Sequence, residues 1–373
     1  MLLKPRVGQS KPRYNLLNPG RGKGPINIFF AGAGFSHELL HGTGARKRLL
    51  SWHANTKEDL EDVIAHDKEF GDTFLIVDSG AFTVWTKGSK IDVEDYIQTL
   101  GKLLDHFDVA ANLDVIPGKK GMQASEYTKE ITESAANEGW ENYLKIEHAL
   151  AIIGVDAKER VMPIYHQGES MDWLRRMVDY GCQYIGISPS NDYATSQREH
   201  WLDDVFDYLS SLSTLPRTHG YAVTSTRLMA QYPWMSVDSA SWVMGAGYGT
   251  INTPFGQVTL TDRDQTMGRA DAMDGRDWSP EMKAKVESYL AQFGLTVEGC
   301  RKSHHDRWRA NAHYLLEWEK AYQYKPRQKP SGLFDEVQPV DTKPVEKKVE
   351  LKPAGQIGQV PMSLYDARKG KAK

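Results

Sequence analysis

Short apolar runs that end in polar residues recur along this chain. Each run is followed at once by a carboxylate, an amide, a hydroxyl or a glycine, and four of them lie at 74–82, 161–168, 184–190 and 235–239. Such runs are typical of strands buried on both faces. The segments between them have apolar residues at helical spacing. This alternation of strands and helices predicts an α/β protein with a parallel sheet.

The positions of the polar residues favour one form of parallel sheet. An open sheet concentrates its ligand contacts where the strand order reverses. In a closed barrel, the loops at the carboxyl ends of all strands surround one pocket. Because polar candidates follow nearly every run, we predict a (β/α)8 TIM-type barrel. An inserted β-hairpin is expected at 248–262 and closing C-terminal helices at 280–293 and 304–322.

Composition separates a body from two ends. Residues 1–24 contain six Lys and Arg residues and no acidic residue, whereas the chain from 324 onward is rich in Pro, Lys, Glu and Gln. We therefore predict a basic flexible arm over 1–25, a barrel domain over 26–323 and a disordered tail over 324–373. The arm is either a solvated surface or a segment that contacts phosphates.

Composition also limits the class of protein. The sequence has no apolar run near the roughly 20 residues of a membrane span, and no signal-peptide pattern follows Met1. With two cysteines and a net charge of −3, we expect a soluble cytoplasmic protein without a disulfide framework. Because the chain is slightly acidic, a nucleic-acid partner would need a local basic surface.

Two aspartates, Asp78 and Asp238, stand directly after buried runs. A carboxylate resists desolvation, so these positions favour chemistry over packing. Helix capping or a buried ion pair is the alternative. Asp114 follows the run that begins at Val109, and for it a structural or capping role also stays open.

A set of short motifs lies in a fixed order on the predicted strands. The motifs are Asp78-Ser79-Gly80-Ala81-Phe82, His166-Gln167-Gly168, Gly186, Gly220 and Asp238. Their order and spacing, over roughly residues 70–245, resemble the tRNA-guanine transglycosylase superfamily.

Within that superfamily the chain is most similar to phage-encoded, DpdA-type DNA transglycosylases, which exchange guanine in DNA for a 7-deazaguanine such as preQ0. The segments from His219 to Thr226 and from Tyr232 to Trp242 suggest this branch. A Cys-Val-Leu-Pro-Thr-Arg run, typical of the tRNA enzymes after the aspartate, is missing from the sequence.

The resemblance implies a (β/α)8 barrel and a pentosyltransferase reaction. It places Asp238 at the nucleophile and Asp78 at the second catalytic carboxylate, which assists base recognition and proton transfer. It places Phe82 at the aromatic residue that stacks on the base, and His219 at a lid over the opposite base face. For His219, a satisfied histidine in the core is the equal alternative. The remaining base-binding positions that it implies are Ser79, Asp114, Gln167, Gly168, Gly186 and Gly220.

Elementary chemistry supports these roles independently. A carboxylate nucleophile can attack an oxocarbenium-like carbon and hold the sugar as a covalent intermediate. The departing base needs a proton and the incoming base loses one, so a second titratable group is required. The N1–H and N2–H2 donors of guanine match an acceptor such as Asp114.

The cysteine pattern departs from that of the tRNA enzymes, which hold a structural zinc with a Cys-x-Cys-x-x-Cys cluster and a distant His. Cys182 and Cys300 lie too far apart in sequence to form that cluster. We therefore predict no metal. A reduced zinc site near Cys300, with His304, His305 and His313, is the less favoured alternative.

The sequence thus predicts a DNA-guanine transglycosylase whose partners are DNA and a 7-deazaguanine base, and it leaves homodimerisation open. A tRNA-guanine transglycosylase is the second hypothesis, and a nucleoside or glycoside hydrolase is the third. A non-catalytic nucleic-acid-binding relative is the alternative from another class. Such a relative would be expected to have lost one of the two aspartates, and this chain keeps Asp78 and Asp238.

Overall fold

A computed structural model describes the main body of the chain. The described residues are 11–32, 36–52, 57–88, 90–119, 122, 126–190, 193–260, 273–274 and 278–327. The chain divides into two units, residues 1–327 and residues 328–373. The second unit lies outside the described residues, and so do the first ten residues of the predicted arm.

Nine parallel strands form a nearly closed barrel. In chain order they are β1 (Asn27–Phe30), β2 (Lys47–Ser51), β3 (Phe74–Asp78), β4 (Val109–Ala111), β5 (Val161–Met162), β6 (Ile164–His166), β7 (Tyr184–Ser188), β8 (Arg217–Gly220) and β9 (Ser236–Ser239). Their order in the sheet is β5-β4-β3-β2-β1-β9-β8-β7-β6, and each of these pairings is parallel. The predicted α/β barrel is confirmed at this level.

The two end strands of the sheet are neighbours in sequence. Only Pro163 separates β5 from β6, and proline has no N–H to donate to a strand ladder. β5 pairs with β4, whereas β6 pairs with β7. The chain therefore brings the two ends of the sheet together within six residues, which leaves the barrel nearly closed.

Helices follow the strands, and most of them pack their apolar side chains on the barrel in one large cluster. They are α1 (His37–Thr43), α2 (Lys57–Phe70), α3 (Ala81–Lys87), α4 (Val93–Leu103), α5 (Lys129–Ile152), α6 (Ala157–Arg160), α7 (Met171–Asp179), α8 (Thr195–Ser210), α9 (Thr226–Gln231), α10 (Ser241–Gly247), α11 (Pro280–Ala291), α12 (Val297–Lys302) and α13 (His304–Lys320). Within the described ranges, no helix has the length and apolarity to span a membrane.

Side chains alternate between the inside of the barrel and the helical layer. Along β3, Phe74 and Ile76 belong to an interior cluster, whereas Leu75 and Val77 pack with the helices. This is the two-residue period of a strand. The same period directs Asp78 inward, directly after the apolar interior. The barrel is therefore packed below its carboxyl end, and the acid lies at the top of that packing.

A smaller layer follows the barrel. β10 (Thr250–Thr253) and β11 (Gly256–Thr259) form an antiparallel pair, and β12 (Met273–Asp274) pairs with β11. Ile251 and Val258 from this sheet pack with residues of α11 and α12 in a separate apolar cluster. Residues 261 and 262 of the predicted hairpin lie outside the described residues.

Residues 11–25 differ from the flexible arm that we predicted. The Arg13 guanidinium bonds to Asp67 and Asp108, each at 2.8 Å, and the Tyr14 ring packs against Phe74. Asp67 lies in the last turn of α2, Asp108 directly precedes β4, and Phe74 begins β3, so Arg13 and Tyr14 bind at the end of the barrel opposite Asp78. The described part of the arm is therefore fixed to the body, and the charge of Arg13 is engaged within the protein.

The last described residues also extend the body past the predicted boundary at 323. The Lys325 N–H donates to the Ala230 carbonyl at 2.8 Å, and Arg327 pairs with Asp203. Residues 324–327 thus pack on α8 and α9. The composition of the tail could not indicate this, because the partner carboxylate, Asp203, lies on α8.

Glu319, near the end of α13, joins the two ends of the body. Its carboxylate accepts hydrogen bonds from the Ile28 backbone N–H at 2.8 Å and from the Asn18 side chain at 3.0 Å. It also pairs with Lys47. One buried acid thus satisfies groups on β1, on β2 and on the segment that precedes them.

Candidate active site

Three aspartates meet at the carboxyl end of the barrel. Asp78 ends β3, Asp114 follows β4 by three residues, and Asp238 lies in β9. The carboxyl ends of parallel strands share one end of a barrel, and the charges of Asp114 and Asp238 both act on Asp78. The structure therefore brings together the three acids that the sequence singled out.

Asp78 is the acid whose protonation is most altered. Burial, and then the charge of Asp114, raise the pKa of Asp78 to about 7, although the Gly80 N–H donates to its Oδ2 at 3.0 Å. A carboxyl group that titrates near neutral pH can both give and accept a proton. Asp78 thus has the property needed for general acid–base catalysis.

Asp238 is held by one of its two oxygens. Its Oδ1 accepts the Ala222 N–H at 2.8 Å and lies 3.4 Å from Nε2 of His219. Among the described residues, Oδ2 has no hydrogen-bond partner. Ala222 has a φ of 51°, which is uncommon for a residue with a side chain. The turn after β8 thus orients Asp238 and leaves Oδ2 available for chemistry.

Asp114 is held by a buried row of polar groups. Its Oδ2 lies 2.9 Å from Nε2 of His166, and Nδ1 of His166 lies 3.0 Å from Oε1 of Glu169. Ser79 Oγ donates to the other oxygen of Asp114 at 3.4 Å. Burial alone would lower the pKa of His166, but Glu169 and Asp114 raise it to about 10. The His166 ring between these two acids therefore keeps its second proton at neutral pH.

The side chain of Gln167 is engaged with a neighbouring loop. Its Oε1 accepts the Ser190 N–H at 3.1 Å, and its Nε2 donates to the Gln197 carbonyl at 3.5 Å. The Gln167 amide therefore binds the loop that follows β7 and the first turn of α8. Reading the edge of a base would require the amide to leave these partners.

Glycines at the ends of β7 and β8 have different surroundings. A Cβ at Gly186 would lie 2.7 Å from Cε2 of Tyr221, inside the barrel. A Cβ at Gly220 would lie 2.8 Å from Cγ2 of Val223, in the helical layer. Gly186 thus makes room for a ring at the site, whereas the missing side chain of Gly220 makes room for a helix-layer contact. The resemblance implied that Gly220 contacts the base, whereas the space at its Cα faces the helical layer.

Gly168 lies at the edge of a cavity of about 360 Å³, which none of the three aspartates lines. Its φ of 104° favours glycine. Tyr127 and Tyr193 also line this cavity, as does Glu169. The cavity thus adjoins the polar row behind Asp114.

His219 lies in the barrel interior and differs from the expected lid. It is fully buried in β8, where its Nδ1 lies 2.6 Å from Ser236 Oγ and its ring meets the edge of Phe29. A lid must be able to leave the base, and a buried strand residue cannot. Nε2 of His219 lies 3.4 Å from Asp238 Oδ1 but has no hydrogen-bond partner among the described residues. Ser236 is also fully buried, so this Ser–His–Asp row cannot present a serine nucleophile to a substrate.

Phe82 is the most exposed of the predicted site residues. It is 66% exposed on α3, and its ring stacks against Trp85 with centroids 6.2 Å apart. An exposed ring four residues after Asp78, packed on half-buried Trp85, is suited to stacking on a base. Its contact with a base stays a prediction.

The residues of the less favoured zinc site have other surroundings. Cys300 is buried in the apolar cluster of α11 and α12, and burial raises its pKa to about 12. The His313 ring stacks on Phe293. Over the described part of the chain, no group of three or more His, Cys, Asp or Glu side chains is placed to hold a metal ion.

Sequence reasoning missed two residues at this site, Glu169 and Tyr221. Glu169 follows Gly168, so the turn after β6 carries it back to His166. Tyr221 follows Gly220, and its hydroxyl is buried without a hydrogen-bond partner among the described residues. Burial and the charges of Asp78, Asp114 and Asp238 raise the pKa of Tyr221 far above its ordinary range.

We expect Tyr221→Phe to leave the unfolding free energy unchanged or to increase it by about 1–3 kcal/mol, because the substitution removes an unpaired buried hydroxyl. Tyr96→Phe is the matched control, since the Tyr96 hydroxyl donates to the buried Ala111 carbonyl at 2.8 Å. That variant should be less stable by about 1–2 kcal/mol. Urea unfolding measures both; a large loss of stability in Tyr221→Phe would mean that its hydroxyl has a partner.

Comparisons with known proteins leave the chemistry to be inferred from the site itself. A scan against protein-family models matches none, and a search of curated proteins finds no significant match. The features available for that inference are three acids at one end of a parallel barrel, one of which titrates near pH 7.

Proposed function

We propose that this protein is a DNA-guanine transglycosylase, which exchanges guanine in DNA for a 7-deazaguanine of the preQ0 type. The observation that carries the proposal is the convergence of Asp78, Asp114 and Asp238 at one end of the barrel, with Asp78 titrating near neutral pH. The preference for DNA over tRNA depends on the resemblance of the segment from His219 to Trp242 to the DNA transglycosylases. It does not depend on the geometry of the base site.

A finer description of the fold belongs to the same proposal. We count β5 and β6 as one strand interrupted by Pro163, because each pairs with one neighbour and together they span six residues. Eight strands with their following helices then make a (β/α)8 barrel. The β10–β11 pair becomes a hairpin inserted after the last barrel strand.

The chemistry of the site favours a base over a phosphate group. Carboxylates accept hydrogen bonds, so three of them favour a ligand with several N–H donors and disfavour an anion. Guanine presents N1–H and N2–H2 on one edge, and we assign these donors to Asp114. Phe82 then offers an exposed ring for stacking.

The proposed reaction uses Asp238 and Asp78 in sequence. Oδ2 of Asp238 attacks C1′ of the deoxyribose as the bond from C1′ to N9 of guanine breaks, and neutral Asp78 protonates the departing base. Asp78 is now a carboxylate and accepts the N9 proton of the incoming 7-deazaguanine. That nitrogen forms the new bond to C1′, and the ester with Asp238 breaks. Both acids return to their starting forms.

Access to C1′ and the base edge sets a requirement on the nucleic acid. A guanine inside a duplex is stacked and paired, so the enzyme must flip it out or act on an unpaired strand. Because Arg13 is engaged with Asp67 and Asp108, we do not count it among the phosphate contacts. Residues 1–10 of the predicted arm lie outside the described residues, and their role stays a prediction.

The test is an exchange assay with radiolabelled guanine and the full chain. We expect the wild-type protein to incorporate label into single- or double-stranded DNA, and we expect Asp238→Asn to incorporate none. The control substrate is a tRNA with guanine in its anticodon loop. Nucleoside mass spectrometry then identifies the base after exchange with preQ0.

The other outcomes separate the alternatives. Label in tRNA alone would establish the second hypothesis. Release of free base without incorporation would indicate a hydrolase. DNA binding without either reaction would indicate a non-catalytic relative, although both acids are present.

A further inference from the structure

The polar row of Asp114, His166 and Glu169 extends from the site into the buried interior. The Glu169 side chain is 2% exposed, whereas those of His166 and Asp114 are each 11% exposed. Glu169 Oε2 also accepts the His166 backbone N–H at 3.1 Å. Glu169 therefore lies at the inner end of the row and Asp114 at its outer end, with His166 between them.

Hydrogen bonding in this row fixes the direction of each proton. Both ring nitrogens of His166 face a carboxylate oxygen, at 2.9 Å and 3.0 Å. Both nitrogens can donate only when the ring is an imidazolium. Glu169 therefore keeps a proton on Nδ1, the second proton of the ring is directed at Asp114, and Asp114 is left as an acceptor.

The acids at the site therefore have different environments. Asp78 lies near two other carboxylates and can carry a proton near pH 7, whereas Asp114 faces a proton donor. Pairs of acids with opposed environments commonly divide their roles. Here the division is between proton transfer and recognition of the base.

We infer that Glu169 and His166 are positioning residues that hold Asp114 as an ionised acceptor and so restrict the base to one with adjacent ring N–H and exocyclic amine donors. This inference rests on the proposed function. It assigns to buried Glu169, which need not touch the substrate, a part in selecting guanine-type bases over bases without the 2-amino group.

The experiment compares the affinity of the full chain for 7-deazaguanine and for 7-deazahypoxanthine, which lacks only the 2-amino group. Wild type should prefer 7-deazaguanine, with a ratio that is constant from pH 6 to pH 9. The His166 pKa is about 10, and Asp78, which titrates near pH 7, is assigned to N9, which both bases share. Glu169→Gln should reduce the ratio by roughly ten-fold, about the value of one hydrogen bond. Its ratio should also fall with rising pH, because the pKa of His166 decreases when the Glu169 charge is removed.

Glu133→Gln is the matched control. Glu133 accepts a hydrogen bond from Trp173 Nε1 at 2.9 Å and lines the same cavity as Glu169. No contact joins it to Asp114 among the described residues. This variant should keep the wild-type ratio and its constancy with pH.

His166→Gln, which breaks the same row between Glu169 and Asp114, should likewise reduce the ratio and covers the case in which Glu169→Gln unfolds. A double-mutant cycle then tests whether Glu169 acts through Asp114. In an Asp114→Asn background, Glu169→Gln removes the second carboxylate of the row, and it should change the ratio no further if Glu169 acts through Asp114. An unchanged ratio and pH profile in Glu169→Gln, or equal loss of both bases, would overturn the inference alone. Wild-type protein that binds neither base would overturn the proposed function and the inference with it.

Discussion

We expect Asp238→Asn to abolish the proposed base exchange and to leave the barrel folded. The substitution keeps an oxygen to accept the Ala222 N–H, so the turn after β8 should retain its structure. It removes the negative charge that attacks C1′, and losses of a nucleophile commonly reduce turnover by about 10⁴-fold or more. Wild type incubated with guanine-containing DNA should form a covalent complex that survives denaturation. The variant should form none on the same gel.

The control for Asp238→Asn is Asp156→Asn. Asp156 is exposed and caps α6 through the Lys158 N–H, a role that asparagine fills equally well. Exchange in this variant should equal that of wild type. Wild-type exchange in Asp238→Asn would exclude Asp238 as the nucleophile.

Asp78→Asn should reduce exchange by about 10²-fold or more, the usual contribution of a general acid–base group. An amide cannot pass a proton from the incoming base to the departing one. Affinity for nucleic acid should change little, because Asp78 lies at the reacting base. Turnover equal to wild type would give Asp78 a structural role.

The same substitution has a stability effect with a defined sign. The folded-state pKa of Asp78, about 7, lies above its ordinary value of 3.8, so the folded protein binds the proton more tightly than the unfolded chain does. The stability from this proton is fully present below pH 3.8 and is lost as pH rises through 7. Asparagine does not titrate, so Asp78→Asn does not lose this stability as pH rises. Between pH 4 and pH 8, the free energy of unfolding of Asp78→Asn should therefore rise relative to that of wild type by up to about 4 kcal/mol. Urea unfolding at each pH measures this difference.

Local sequence patterns predicted most of the barrel, because buried strands can be recognised in the sequence as short apolar runs. They missed β2, whose first residues are Lys47 and Arg48. Arg48 is fully buried, and its Nη2 lies 3.2 Å from Nδ1 of His41. Burial lowers the pKa of Arg48 to about 9. A charged run becomes a strand here because α1 brings a neutral acceptor to it, and no local pattern contains that information.

The site was predictable to the extent that its residues directly follow strands. Asp78 and Asp238 could be predicted because each follows its apolar run at once. Glu169 could not, since its role depends on a turn that returns it to His166. The fixed segment at Arg13 was missed because its partners, Asp67 and Asp108, lie 54 and 95 positions away. Contacts at that distance are set by tertiary structure.

The carboxylate of Glu319 has a consequence for the order in which the protein folds. Its partners on β1 and before it, Ile28 and Asn18, lie 291 and 301 positions earlier in the chain. During synthesis, the first barrel strand must wait for almost the whole body to be made before this N–H finds its acceptor. Contacts of such long sequence separation slow folding and favour populated intermediates. The β1 amide of Ile28 therefore lacks this acceptor until α13 has left the ribosome.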